Sequence, residues 1–187
     1  MKRIVLITGV FTGIMISVIW LGYYPVASVD GSLLWQHTWM QMQKGALRGF
    51  TAEITSSGGK IPDASSPEYI SFLTEIKRET LGFLVDDRIL LQEGMRLADD
   101  FDSRVNEKLA GVLNNRKRAY KTAKVIYGFS SGDFRTLVLL PQARREMAAG
   151  ILKTKGVSFD QWFGEAKQKK RVQLFFTGFR WEKGEVK

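Results

Sequence analysis

The stretch from Ser65 to Ala98, SSPEYISFLTEIKRETLGFLVDDRILLQEGMRLA, constrains the fold more than any other part of the chain. Its apolar residues recur at helical spacing: Ile76, Phe83, Leu90 and Leu97 stand seven apart, and Leu73, Leu84, Leu91 and Ala98 widen the line into a broad stripe. Such a stripe exceeds what one surface helix buries, so other elements must wrap around it. Ser66 before Pro67, with Glu68 near the positive end of the dipole, marks its start. The expectation is one long central helix, with the rest of the 187-residue chain as its packing partners.

The N-terminus sets a second constraint. Residues 4–24, IVLITGVFTGIMISVIWLGYY, are 21 positions without a charge, enough to span a bilayer core and longer than the apolar region of a secretory signal. Lys2 and Arg3 precede them, so the positive-inside rule puts the N-terminus in the cytoplasm and the remainder outside. Trp20, Tyr23 and Tyr24 would form an aromatic belt at the outer interface. A cleaved signal peptide is the alternative, but its best site, Val26-Ala27-Ser28, is poor and would cut into the first predicted strand. Gly9 and Gly13 form a GxxxG pair through which two such helices could meet as a homodimer. The expected organisation is a cytoplasmic tip and transmembrane anchor over 1–24, an extracytoplasmic helical domain over 25–181, and a flexible tail over 182–187.

Along the domain, Val26 to Leu34 reads as a hairpin turning at Asp30-Gly31, where both positions need positive φ. A helix follows with Trp35, Trp39, Met42, Ala46 and Phe50 on one face. After the polar loop Thr55 to Ser66 and the central helix, Phe101, Val105, Leu109 and Val112 begin a third helix, continued on the same face by Tyr120, Ala123 and Tyr127. A fourth begins at Ser130 or Ser131 with Asp133 near its start, and Pro141 should kink or break it. Ser158 to Gln161 reads as a capping box opening a short fifth helix. Val172 to Phe176 reads as a strand whose partner is the N-terminal hairpin, since a lone strand is unstable. The predicted fold is mainly α, with about five helices and a small β element joining the two ends of the domain.

The valine-rich strand, the Asp-Gly turn and the central residues Leu84 to Glu93, LVDDRILLQE, followed by an acidic helix start, resemble the SurA-type N-terminal chaperone domain of the SurA, PpiD and PrsA family. Tyr127 to Phe134, YGFSSGDF, is similar to that family's approach to its next helix. The resemblance covers roughly Val26 to Lys155. It implies an all-α domain that binds unfolded or partly folded envelope polypeptides without ATP, on the outer face of a bacterial cell membrane. Many members carry a parvulin-type prolyl isomerase domain next. The residues after Phe176 leave no room for one here, so that activity is not carried over.

The residues offer little for catalysis. No cysteine is present, and His37, the single histidine, sits beside no nucleophile motif. Asp86-Asp87 and Asp99-Asp100 are adjacent on helices and point apart, which disfavours a shared acid–base pair or a metal site; pairing with Arg88 or with basic residues of another helix is the simpler role. No phosphate-binding glycine loop appears, and no cofactor is expected. The net charge is +9, and residues 116–171 hold 14 Lys or Arg against four acids. A solvated helical face is one reading of that surplus. Attraction to anionic lipid or envelope polymer through Arg116, Lys117, Arg118, Lys121 and Lys124 is another. Nucleic acid is disfavoured by the topology and by the lack of a recognised module. For polypeptide clients the candidate residues are Trp35, Trp39, Met42 and Phe50, against the plainer reading that this stripe is core. Docking of one fixed envelope partner is the remaining alternative.

Overall fold

The computed structural model describes residues 23–113 and 117–187; the proposed anchor and the Gly9 and Gly13 pair lie outside them, apart from Tyr23 and Tyr24. The chain forms strands β1 (Pro25–Val29) and β2 (Ser32–Trp35), then helices α1 (Gln36–Ser56) and α2 (Pro67–Leu97). Helices α3 (Phe101–Leu113), α4 (Lys117–Ile126) and the single turn α5 (Ser131–Phe134) follow. A π turn (Arg135–Leu139) leads into α6 (Leu140–Thr154), then α7 (Phe159–Lys169) and strands β3 (Val172–Leu174), β4 (Trp181–Glu182) and β5 (Glu185–Val186).

The long central helix is present, capped as expected: the Ser66 hydroxyl accepts from the Tyr69 N–H at 3.1 Å, with Pro67 at the first position. Ile76, Leu84 and Leu90 of the expected stripe are buried, but its Phe83 is 41% exposed, and Leu81, Val85 and Ile89, outside it, are fully enclosed. The buried face is wide because neighbours cover the helix on several sides: the sheet, α1, α3, α6, α7 and β5 all pack on it. Two side chains tie α1 and α3 to it. Trp39 of α1 donates its indole N–H to the Lys77 carbonyl at 3.0 Å and the Thr80 hydroxyl at 3.1 Å. Phe101, fully buried, lies on the backbone of Gly94, where a Cβ would collide with its ring.

The hairpin turns at Asp30 (φ 47°) and Gly31 (φ 85°), the geometry an Asp-Gly pair favours. β3 pairs antiparallel with β1, giving the order β2-β1-β3 and joining the two ends of the domain. Residues 182–187, expected as a flexible tail, instead contribute to a β4–β5 hairpin whose Val186 is buried on α2 beside Gly82, so that expectation is corrected. The third helix is described as two, α3 and α4. The α-helical pattern is interrupted just before Pro141, by a π turn over Arg135–Leu139. The π turn before it carries a wide i to i+5 bond from the Leu140 N–H to the Arg135 carbonyl, and Pro141 enters at the start of α6, where its missing N–H costs little. The expected capping box at Ser158 is not formed, since its side chain makes no cap bond. A complete one stands instead at Ser130 and Asp133.

Charges of opposite sign tie the later elements to α2. Asp87 pairs with Arg144 of α6 at 2.6 Å, and Asp86 with Lys167 of α7 at 3.3 Å. Lys170, 4% exposed at its side chain, reaches Asp30 and Glu93 at 2.8 Å and Gln92 at 2.9 Å, clamping the hairpin turn onto α2. Burial raises the Asp86 and Asp87 carboxyls above their ordinary range against the pull of their cationic partners. Asp30 is lowered, first by the hydrogen bond from Lys170 and then by that from the Arg171 N–H.

Two predictions follow from these pairs. Arg144→Leu strands the Asp87 carboxylate and should cost about 3–5 kcal/mol, whereas Asp87→Leu with Arg144→Leu should lose much less; urea unfolding of each variant measures both. The two aspartates should also titrate with opposite sign. A raised carboxyl takes up its proton earlier in the folded state, so the stability of the parent relative to Asp87→Asn rises as pH falls toward 3.8. A lowered one does the reverse, so the parent's advantage over Asp30→Asn is lost as pH falls below 3.8. Unfolding free energies measured against pH check both signs.

Candidate functional site

An apolar groove of about 680 Å³ opens between α1, the loop after α4, the π turn and α6. Met42, Gly45 and Ala46 come from α1, Phe83 from α2, Tyr127 and Phe129 from the loop, and Phe134 from α5. Leu137 and Val138 of the π turn and Pro141, Gln142 and Arg145 of α6 complete the wall. The volume falls in the range of ligand-binding clefts, and the lining is nearly all hydrocarbon and aromatic ring.

The local sequence explains the shape. Gly45 and Gly49 stand one turn apart on α1, and a Cβ at either would overlap Phe129 or Tyr127 respectively. The two rings therefore lie directly on the helix backbone, 6.0 Å apart and nearly parallel. Gly128 between them has φ 69°, a left-handed conformation that brings the loop back toward α1, with Arg48 packed against it. On the opposite wall the π turn contributes Leu137 and Val138 beside Pro141 of α6. Arg145 forms the polar rim, its guanidinium 4.7 Å over the Phe159 ring and 3.3 Å from Asp160. A second groove of about 710 Å³, more polar, continues past Ala46 and Tyr127 to Phe50, Phe72 and Ile126.

The candidates named from sequence separate into three places. Met42 lines the first groove, half-buried. Phe50 lines the second and stacks on Phe72 with ring centres 3.8 Å apart. Trp39 is 5% exposed and spends its N–H on α2, so its assignment to a client surface is corrected: it is a core residue. Trp35 is 39% exposed but stands at the end of β2, outside both grooves. Lys121 and Lys124 are exposed on α4; Arg116 and the side chains of Lys117 and Arg118 lie outside the described residues. Several of the other basic residues between 116 and 171 are held internally, by Asp86, Asp87, Asp30 and Glu93. His37 is half-buried beside the Tyr23 ring, at 5.2 Å between centroids. Among the described residues no three His, Cys, Asp or Glu side chains converge on a point that could hold a metal ion.

Sequence reasoning missed Phe83, Tyr127, Phe129, Val138 and Pro141 as groove residues. The glycine pair Gly45 and Gly49 was the available signal, because glycines one turn apart on a helix face mark a close approach by something bulky. No protein-family model, curated protein or solved structure matches this chain.

The glycine floor gives a direct test. Gly45→Ala should displace the Phe129 ring and destabilise the fold by about 1–3 kcal/mol, as overpacking does. Gly150→Ala on α6, where a Cβ meets open space, should instead stabilise by up to about 1 kcal/mol through helix propensity. Thermal unfolding followed by circular dichroism compares the two.

Proposed function

We propose that this chain is a membrane-anchored, extracytoplasmic chaperone-like protein that binds unfolded or partly folded polypeptides without ATP and without prolyl isomerase or other catalytic activity. The observation that carries the reading is the groove between α1 and α6, whose walls offer methionine, aliphatic and aromatic surface with a single cationic rim. Such a lining suits exposed apolar segments of varied sequence, because methionine and flat rings adapt to many shapes. The uncharged residues 4–24 and the preceding Lys2 and Arg3 support the anchor, and the sequence resemblance to the SurA-type domain supports the class of client. Tethering would hold the groove where translocated chains emerge and raise the local concentration without tighter contacts.

The test is aggregation of an unfolding envelope protein, followed by light scattering, with the full chain in detergent or nanodiscs. The parent should suppress scattering at stoichiometric excess. The double variant Met42→Ser with Phe83→Ser should suppress it several-fold less, compared at a temperature at which circular dichroism shows both proteins folded. Equal suppression by parent and variant would remove the groove from the mechanism, and no suppression by the parent would end the reading. The exposed Lys121 and Lys124 favour one second reading, a face that binds anionic lipid or polymer; affinity for such a polymer that ignores salt would exclude it.

A further inference from the structure

The end of the sheet that follows residues 4–24 carries three exposed aromatic residues, Tyr23, Trp35 and Phe176. Tyr24 accepts a hydrogen bond from the Gln36 N–H at 2.9 Å through its carbonyl, and Pro25 begins β1, so the domain starts with no spacer after the uncharged stretch. On one side of β1, Trp35 pairs with Pro25 and is 39% exposed. On the other side Leu174 pairs with Ala27 and the Phe175 N–H donates to the Val26 carbonyl at 2.8 Å, which brings Phe176 level with Pro25. Phe176 is 93% exposed, and Tyr23 is 53% exposed.

Phe176 is unusual in two independent ways. It is the most exposed large apolar side chain among the described residues, and its φ is 55°, a left-handed conformation strained for a bulky residue. Nothing in the fold requires a ring at that place: Gly178, two residues on, takes a left-handed conformation without strain. A phenylalanine projected into water from a strained backbone is explained if the surroundings there are not water.

We infer that Phe176, with Tyr23 and Trp35, forms an interfacial foot that inserts into the headgroup region of the phospholipid bilayer and fixes the orientation of the domain on the membrane. The inference rests on the reading of residues 4–24 as a bilayer span. With the span ending at Tyr24, the outer interface falls within a few residues of Pro25, at about 3.3 Å per strand residue. Phe176, one strand over from Pro25, is then within reach of the lipid when this end of the sheet faces the membrane. Aromatic side chains are the ones that settle at this depth.

The absence of cysteine allows single labels. Full-length Phe176→Cys, Val125→Cys and Thr12→Cys, each carrying an environment-sensitive fluorophore, are reconstituted into phosphatidylcholine–phosphatidylglycerol vesicles with nitroxide-labelled lipids. The expected result is blue-shifted emission at position 176, quenched several-fold more by a shallow nitroxide than by a deep one. The label at Val125, itself 76% exposed on α4, should remain water-like and unquenched. A label at 176 that is unquenched while that at 12 is quenched deeply overturns the foot and leaves the anchor standing. No quenching at 12 removes the anchor and the foot with it. Equal quenching at 125 and 176 also overturns the proposal, since the label would then be partitioning without a specific site.

Discussion

Burying the middle of α2 is the constraint on which the rest of the structure depends. Leu81, Val85 and Ile89 fall on one line along the helix and are fully enclosed. A helix enclosed at its centre needs neighbours on several sides, and one helical hairpin cannot supply them. The chain solves this by bringing both of its ends to the same helix. The hairpin of β1 and β2 arrives first, β3 returns to pair with β1, and the β4–β5 hairpin then places Val186 against the helix. The ionic contacts follow the same logic. Asp86, Asp87 and Glu93 all lie on α2, and their partners Lys167, Arg144 and Lys170 belong to the elements that must be held against it.

The groove is where that enclosure stops. Phe83 is near the enclosed line yet 41% exposed, because α1 and α6 stand apart above it. Two features of the chain keep them apart. The Tyr127 and Phe129 rings rest on the glycine floor of α1 and fill the space a closer helix would take. On the other side the wall is built from the π turn and the start of α6, where Leu137, Val138 and Pro141 line the groove. An apolar cleft lined by groups that could have met one another is held open by backbone geometry, so closing it would require either glycine site or the π turn to reorganise.

Much of the architecture was legible because it is written locally. The Asp30-Gly31 turn, the Ser66-Pro67 start and the strand at Val172 each depend on a few adjacent residues whose conformational preferences are strong, and each appears in the fold. The return of the last strand to the first could be reasoned from the instability of a lone strand. What was not legible depends on contacts between distant segments. Helical spacing shows that α2 has an apolar face but cannot say that Leu81, Val85 and Ile89 become its most enclosed residues while Phe83 stays exposed. Trp39 looked like its neighbours in the aromatic stripe until Thr80 and the Lys77 carbonyl came within reach of its indole. Ser158 had the residue for a capping box and lacked the geometry, whereas Ser130 and Asp133 had both.

The position of the groove relative to the chain's entry bears on how a tethered binding protein would work. Pro25, the first residue of β1, is paired to Trp35, and α1 leaves directly from that point, so the groove wall formed by Met42 and Ala46 lies on the helix that follows the first hairpin. A flexible linker would let the groove sample all directions above a membrane. An anchor that ran into β1 without a spacer would restrain it, and an aromatic contact at the same sheet end would restrain it further. Restraint of this kind lowers the entropy lost when a client emerging from the bilayer is engaged, because the orientation of the groove is set before binding. It also limits the clients to those that arrive on the accessible side. If residues 4–24 do anchor the chain, orientation on the membrane would contribute to selectivity alongside the chemistry of the groove lining.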